Sequence, residues 1–209
     1  MNKSVIGIIP AKKTSHRLPF KNRLLLGGKE MYQLSVDYAF GEGIKPIVST
    51  DDEEIIKWCQ NNNIDFICEM VDDSDMCNCV NQVLAKYPCD YFVLLTPTSP
   101  IREKNLVKRL LCEEDIKTSI YTAEKIKIIG HIGDTFMFAY RDQDKNTKFL
   151  YHFDGNIIIV NASWYGTSKK LFCDESKVVV QHLPYTLQVD DEYDFEIISK
   201  IKNEYNLEI

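Results

Sequence analysis

The stretch IIPAKKTSHRLPFKN, residues 8–22, decides how the rest of the chain is read. Its first residues close an apolar run, Val5 to Ile9. Beyond that run lies a loop carrying Lys12, Lys13, Arg17 and Lys21 together with the hydroxyls of Thr14 and Ser15 and a proline. A loop that only joined two elements would be shorter and would have no reason to be this basic. An apolar strand that ends in a basic loop fits an α/β fold with something negative bound beyond the strand's carboxyl end. There is no glycine before Gly27 and no GxxxxGK[ST] pattern, so this is not a Walker loop. Residue types alone leave two readings open, a triphosphate cradle or a solvated loop without a ligand.

Outward from this stretch the chain alternates. SVIGII (Ser4 to Ile9) reads as a buried strand, and MYQLSVDYAF (Met31 to Phe40) has apolar residues at helical spacing before GEG stops it. KPIVST (Lys45 to Thr50) is a second strand. DDEEIIKWCQNN (Asp51 to Asn62) opens with acidic residues suited to a helix amino terminus, and IDFICE (Ile64 to Glu69) is a third strand. A helix is expected over Asp73 to Lys86. YFVLLT (Tyr91 to Thr96) is the most apolar strand and therefore belongs at the centre of a sheet; EKNLVKRLLCEE (Glu103 to Glu114) returns as a helix. Four βα units in order predict an α/β fold with a doubly wound sheet and helices on both faces. From Lys117 the pattern changes: TSIYTAEK, TFMFAYR, GNIIIVN (Gly155 to Asn161), KVVVQH and TLQVD read as strands before a closing helix from about Asp191 to Asn203. The sheet is therefore expected to be mixed. Residues 130–155, rich in turns and aromatics, are expected to form an arm or dimerisation insert within one domain spanning 1–209.

Composition bounds the function. The 209 residues carry a formal charge of −6, with 44% apolar and 27% charged side chains. An acidic balance argues against bulk nucleic-acid binding, which needs a basic face, so the basic loop is a local feature suited to a small anion. No apolar segment has the length to span a bilayer, and no repeat is seen. Seven cysteines (59, 68, 77, 79, 89, 112, 173) without a signal-peptide pattern fit a reduced cytoplasm. Cys77 and Cys79 lack the second Cys or His cluster of a zinc site.

Ligands of open α/β sheets bind outside the carboxyl ends of the strands, which directs attention to PAKKTSHRLPFKN, to TDDEE after strand two, and to PTSPIR (Pro97 to Arg102) after strand four. PAKKTSHRLPFKN, VSTDDEEI (Val48 to Ile55), LLTPTSPIR (Leu94 to Arg102), DGNIIIVN and VDDEYDFEI (Val189 to Ile197) together resemble, in order and spacing, the acylneuraminate cytidylyltransferases, the CMP-sialic acid synthetases. The resemblance covers nearly the whole chain. It implies a Rossmann-like nucleotidyltransferase fold, usually dimeric, that transfers CMP from CTP to the anomeric hydroxyl of a nine-carbon acidic sugar, releasing pyrophosphate with Mg2+.

The resemblance assigns roles to residues. Lys21 corresponds to the phosphate-binding lysine, with Lys12 and Asp190 as further catalytic candidates. Ala11, Lys12, Lys13, Ser15, Lys21, Asn22, Ser74 and Asp75 are expected around the nucleotide. Thr96, Thr98, Ser99, Arg102 and His152 are expected near the acceptor, and Asp190 with Gln188 near the metal. Magnesium takes hard oxygen ligands, commonly one or two carboxylates plus phosphate oxygens, which Asp190 suits.

Simpler roles are expected beside these. Asp194 supports the following helix, Asp51 and Asp52 cap the helix after VST, Thr98 and Ser99 make loop hydrogen bonds, and Arg102 anchors its loop. Trp58 and Trp164 belong to apolar helix faces.

Departures from the family pattern fall at the expected site. Lys12 stands where an arginine is usual, so a point charge replaces a two-pronged grip. His16 replaces a lysine, Gln188 the first metal aspartate, and Thr96 the glutamine of LLQPTSP. Cys68 and Glu69 stand where an arginine is expected. These changes leave a cytidylyltransferase with another acceptor (a different ulosonic acid, a phosphonate or a sugar phosphate) and a catalytically silent binding protein as alternatives.

Overall fold

The computed structural model describes residues 3–15, 17–68, 76–126, 130–132, 135–137 and 150–205. Its strands are β1 (Val5–Pro10), β2 (Leu25–Leu26), β3 (Lys29–Glu30), β4 (Lys45–Thr50), β5 (Asp65–Cys68), β6 (Tyr91–Leu94), β7 (Ser119–Ile126), β8 (Gly130–Ile132), β9 (Thr135–Met137), β10 (Leu150–Asn161) and β11 (Lys177–Gln181). Its helices are α1 (Met31–Gly41), α2 (Glu53–Asn61), α3 (Met76–Lys86), α4 (Leu106–Glu113), α5 (Ala162–Ser168) and α6 (Glu192–Tyr205).

Seven strands form the main sheet in the order β11-β7-β10-β6-β1-β4-β5. β6, β1, β4 and β5 are mutually parallel, β10 runs antiparallel to both β6 and β7, and β11 is parallel to β7. The sheet is thus mixed. β6 is fourth of the seven strands and all four of its residues are buried, as its apolar sequence predicts. The chain turns outward from β1 to β4 and β5, then crosses to β6 on β1's other side. That reversal opens a crevice beyond the carboxyl ends of β1 and β6.

Alternate side chains of the strands enter different cores because successive residues point to opposite faces. Ile9, Val48, Val93 and Ile159 pack with Tyr32 and Val36 of α1, Ile55 and Cys59 of α2, and Leu106 and Leu110 of α4. On the other face Ile8, Ile47, Phe92 and Ile158 meet Val80 and Val83 of α3 and Tyr165 of α5. Both faces of the sheet are thus covered by helices. Trp58 and Trp164 pack against these two cores as partly buried side chains, Trp58 with Tyr32 edge-on at 5.2 Å between ring centroids. A third cluster joins Leu26, Met31 and Leu34 to Ile101, Val189 and Ile198, which ties α6 to the base of the basic loop.

The expected strand at TLQVD does not form. Thr186 to Asp190 run as an irregular segment held by one ladder-like bond, from Val189 N–H to Thr98 O at 2.7 Å. β10 begins well before the expected Gly155 and carries a register shift between Phe153 and Ile158. Of the expected arm, β8 and β9 pair as a small antiparallel ribbon. Residues 138–149 lie outside the described residues.

Candidate active site

The site is assembled at the crevice from four segments. The first is the loop after β1. Ala11 is fully buried and extends the strand by one residue, its N–H donating to Ser49 O at 2.8 Å while its carbonyl accepts Thr50 Oγ1 at 2.6 Å. Asn22 closes the loop: its side-chain amide donates to Lys12 O at 2.8 Å, across ten residues, and the residue is 9% exposed. Lys13 is fixed at its backbone, N–H to Asp51 Oδ1 at 2.5 Å, and its ammonium stands 3.5 Å from Glu53 Oε2. Ser15 is half-buried on the same loop. His16 lies outside the described residues.

The second segment comes after β4. Asp52 is the N-cap of α2, Oδ1 accepting from Glu54 N–H at 3.0 Å, as the acidic sequence predicts. It is 1% exposed, and Arg23 from the end of the basic loop stands 3.7 Å from the same oxygen. Asp51 serves Lys13 rather than the helix.

The third segment, which leads into α6, meets the first. Lys21 Nζ lies 3.2 Å from Asp190 Oδ1 and Arg17 Nη2 lies 3.3 Å from that same oxygen. The expected pair of Lys21 and Asp190 is therefore brought together, 169 residues apart in sequence. Arg17 joins them although no role was expected of it beyond the loop's charge. Asp190 is set in place by its own N–H, which donates to Asp194 Oδ2 at 2.9 Å; Asp191 Oδ1 accepts Asp194 N–H at 3.0 Å in return. This reciprocal pattern starts α6, so Asp194 does support the helix.

Beside this charged corner lies a buried polar knot. Arg102 is 7% exposed; it donates to Thr96 O at 2.6 Å, Ser35 Oγ at 3.2 Å and Asn156 O at 3.5 Å. Burial lowers its pKa to about 10, opposed by Tyr38 and Asp154 nearby. Ser99 is fully buried with its hydroxyl on Asp154 O at 3.2 Å. Ser99 and Arg102, expected among the acceptor contacts, have their side chains in hydrogen bonds that fix the loop to β10 and α1. Thr98 holds Val189 through its carbonyl. Thr96 donates its hydroxyl to Gly155 O.

Gln188 was expected beside Asp190 as a metal ligand. Its amide instead lies over Gly155, where an added Cβ would sit 3.1 Å from Cδ, Oε1 and Nε2 alike, and Nε2 donates to Phe153 O at 3.5 Å. His152 pairs with Glu124 through the backbone, and its side chain lies outside the described part. Ser74 and Asp75 lie outside the described residues.

Sequence reasoning missed the knot's centre, Asp154 and Asn156. Asp154 Oδ1 accepts Thr122 Oγ1 at 2.6 Å and Asn156 N–H at 3.0 Å. The Asn156 amide donates to Ile101 O at 3.0 Å and Tyr185 O at 2.5 Å, stitching the loop after β6 to the segment that carries Gln188 and Asp190. The only signal was a polar Asp-Gly-Asn triplet inside an otherwise apolar strand.

A sheet parallel at its centre, with lysines at the strand-order reversal and a carboxylate across the crevice, is the layout of a nucleotide-binding α/β protein. The chain belongs to the cytidylyltransferase family, whose model matches residues 6–137. It is 26% identical to N-acylneuraminate cytidylyltransferase of Escherichia coli O18:K1:H7, across 99% of this chain and 54% of that protein. Against the enzyme of the same name from Streptococcus agalactiae serotype III, identity is 29% over 91% of this chain and 51% of the relative. The chain thus spans about half the length of these relatives. A CMP-N,N'-diacetyllegionaminic acid synthase of Legionella pneumophila is 22% identical over 94% of this chain and 95% of its own length. Among solved structures, a CMP:2-keto-3-deoxy-manno-octonic acid synthetase complexed with CTP superposes with a TM-score of 0.72 over 97% of this chain and 99% of its own, at 16% identity.

Proposed function

We propose that the protein transfers CMP from CTP to the anomeric hydroxyl of an acidic nine-carbon sugar for surface polysaccharide synthesis. The observation that carries this reading is the meeting of Lys21 with Asp190 at the carboxyl ends of β1 and β6, in a chain of the cytidylyltransferase family. The acceptor hydroxyl gives up its proton to solvent as its oxygen forms a bond to the α-phosphorus, the bond from that phosphorus to the bridging β-oxygen breaks, and pyrophosphate leaves. Charge accumulates on the leaving oxygens, and the ammoniums of Lys12, Lys13 and Lys21 are the loop's means of stabilising it. Ala11 and Asn22 hold the loop's backbone, and Ser15 adds a hydroxyl near the phosphates.

Magnesium fits the residues present. Asp190 offers a hard oxygen that is 41% exposed at the crevice, and no group of three His, Cys, Asp or Glu suited to a metal occurs among the described residues. One carboxylate with phosphate oxygens is an ordinary Mg2+ environment, and the ion would neutralise triphosphate charge there. Gln188, turned over Gly155 rather than toward Asp190, and Thr96, bonded to the same glycine, support a role for both beside the acceptor. That placement favours a second reading in which the transfer is the same and the acceptor is another ulosonic acid or a related anion. Thr98, Ser99 and Arg102 shape this side of the crevice, and His152 and the nucleotide-side Ser74 and Asp75 complete the proposed site. No described helix is long and apolar enough to cross a membrane. A homodimer in the cytoplasm, without nucleic-acid partners, completes the reading.

Calorimetric titration with CTP, ATP, GTP and UTP, each with and without Mg2+, tests the proposal. CTP should be selected with Mg2+, and Lys21→Ala should weaken it by about tenfold or more, the scale of one lost charge-assisted contact. Pyrophosphate release across a panel of acidic sugars then assigns the acceptor. Failure of all four nucleotides to bind at millimolar concentration would sink the reading.

A further inference from the structure

The crevice is neutralised from within. Lys21 is sunk to 12% side-chain exposure with its ammonium on Asp190 Oδ1, and Arg17, 67% exposed, reaches the same oxygen. The carboxylate is held from behind by the bonds from Asp190 N–H to Asp194 and from Val189 N–H to Thr98. Lys21, one of the cations a polyphosphate would use, and Arg17 beside it are therefore already occupied by an anion of the chain itself.

We propose that Asp190 is an internal stand-in for phosphate that masks Lys21 and Arg17. A polyphosphate must displace this carboxylate, and a divalent cation must displace two side-chain cations, so each ligand entering alone works against the pair. Entering together, the cation takes the carboxylate and the lysine turns to the phosphate. Linkage makes the coupling reciprocal: whatever factor the cation adds to polyphosphate affinity, polyphosphate adds to cation affinity. Lys21 dominates the effect, because its buried end is screened by salt far less than the exposed guanidinium of Arg17. This inference rests on the reading of the basic loop as a polyphosphate site, and is independent of the base and the acceptor.

The test uses tripolyphosphate and Mn2+ as probes on the full chain, separately and together. Tripolyphosphate in chelator is followed by calorimetry, and Mn2+ alone by electron paramagnetic resonance. Wild type, Asp190→Asn, Lys21→Met and the double variant form a cycle that isolates the pairwise effect. Asp190→Asn should bind metal-free tripolyphosphate about tenfold tighter than wild type, within the usual range of coupling between two ligands, and the gain should vanish when Lys21 is methionine. Lys21→Met should bind Mn2+ alone more tightly by a similar factor. Arg17→Ala, which alters only an exposed side chain, should do the same to a smaller extent.

An equal gain with and without Lys21 would mean plain charge repulsion and would overturn the proposal, as would no gain at all. A Lys21-dependent gain without preference for CTP over the other nucleotides would leave the masking intact and remove the cytidylyl reading. Selective CTP binding with a flat cycle would do the reverse.

Discussion

Asp154 shows how much one side chain can answer for. It is 1% exposed, its Oδ1 is doubly hydrogen-bonded, and its Oδ2 has no hydrogen-bond partner. Burial pushes its pKa up, and the bonds from Thr122 and the Asn156 N–H pull the other way without cancelling it. The folded carboxyl therefore holds its proton to higher pH than the unfolded one. Its contribution to stability is complete below the ordinary carboxylate range and is lost as pH rises through the raised value. Urea unfolding of wild type followed from pH 4 upward should show this loss, and Asp154→Asn should flatten that part of the profile. Parallel profiles for the two proteins would show that Asp154 is not the titrating group.

At the scale of the element, the bulge in β10 organises the side of the crevice proposed to take the acceptor. Gly155 has φ +66°, a conformation that costs other residues about 1–3 kcal/mol, and its bare Cα face carries the Gln188 amide. Gly155→Ala should lose about that much stability in urea titration and should displace Gln188. Because the basic loop is anchored elsewhere, at Ser49, Thr50 and Asn22, CTP affinity should stay within about twofold while acceptor KM rises, since only uniform binding of the acceptor is lost. An equal fall in CTP affinity would show the two halves of the crevice to be coupled. Helix α4 makes a comparable point: its N-cap Asn105 makes no capping bond. The buried Glu42, at the end of α1, accepts from Asn105 N–H at 2.6 Å and Lys108 N–H at 2.9 Å instead.

For the whole molecule the open question is association. Phe172, 41% exposed, packs at a tilt against Tyr121 at 5.3 Å and Phe153 at 5.6 Å between ring centroids, and Val180 and Leu183 are exposed at 37% and 67%. Val180 lies on β11, an edge of the sheet among the described residues, where exposed apolar side chains favour pairing with another chain. We expect sedimentation to give twice the 24.2 kDa chain mass, and the double substitution Phe172→Ser and Val180→Lys to shift it to the monomer. A monomeric wild type at all concentrations would refute the dimer.

The sequence by itself determined what neighbours decide. Alternation and helical spacing placed β1, β4, β5 and β6 and the helices between them, the acidic pair after VST announced the start of α2, and Asp194 was expected to support α6. The basic loop was legible as a cluster of charge with no structural need, and Lys21 within it only through the resemblance of LPFKN to the family pattern. Only the tertiary structure decided that β10 runs antiparallel beside β6, that TLQVD is not a strand, that Gln188 turns to Gly155, and that Arg17 shares Asp190 with Lys21. Those outcomes depend on which segments the sheet order brings side by side. A bond spanning 169 residues has no periodicity to read, because its partners become neighbours only after the strands between them have paired.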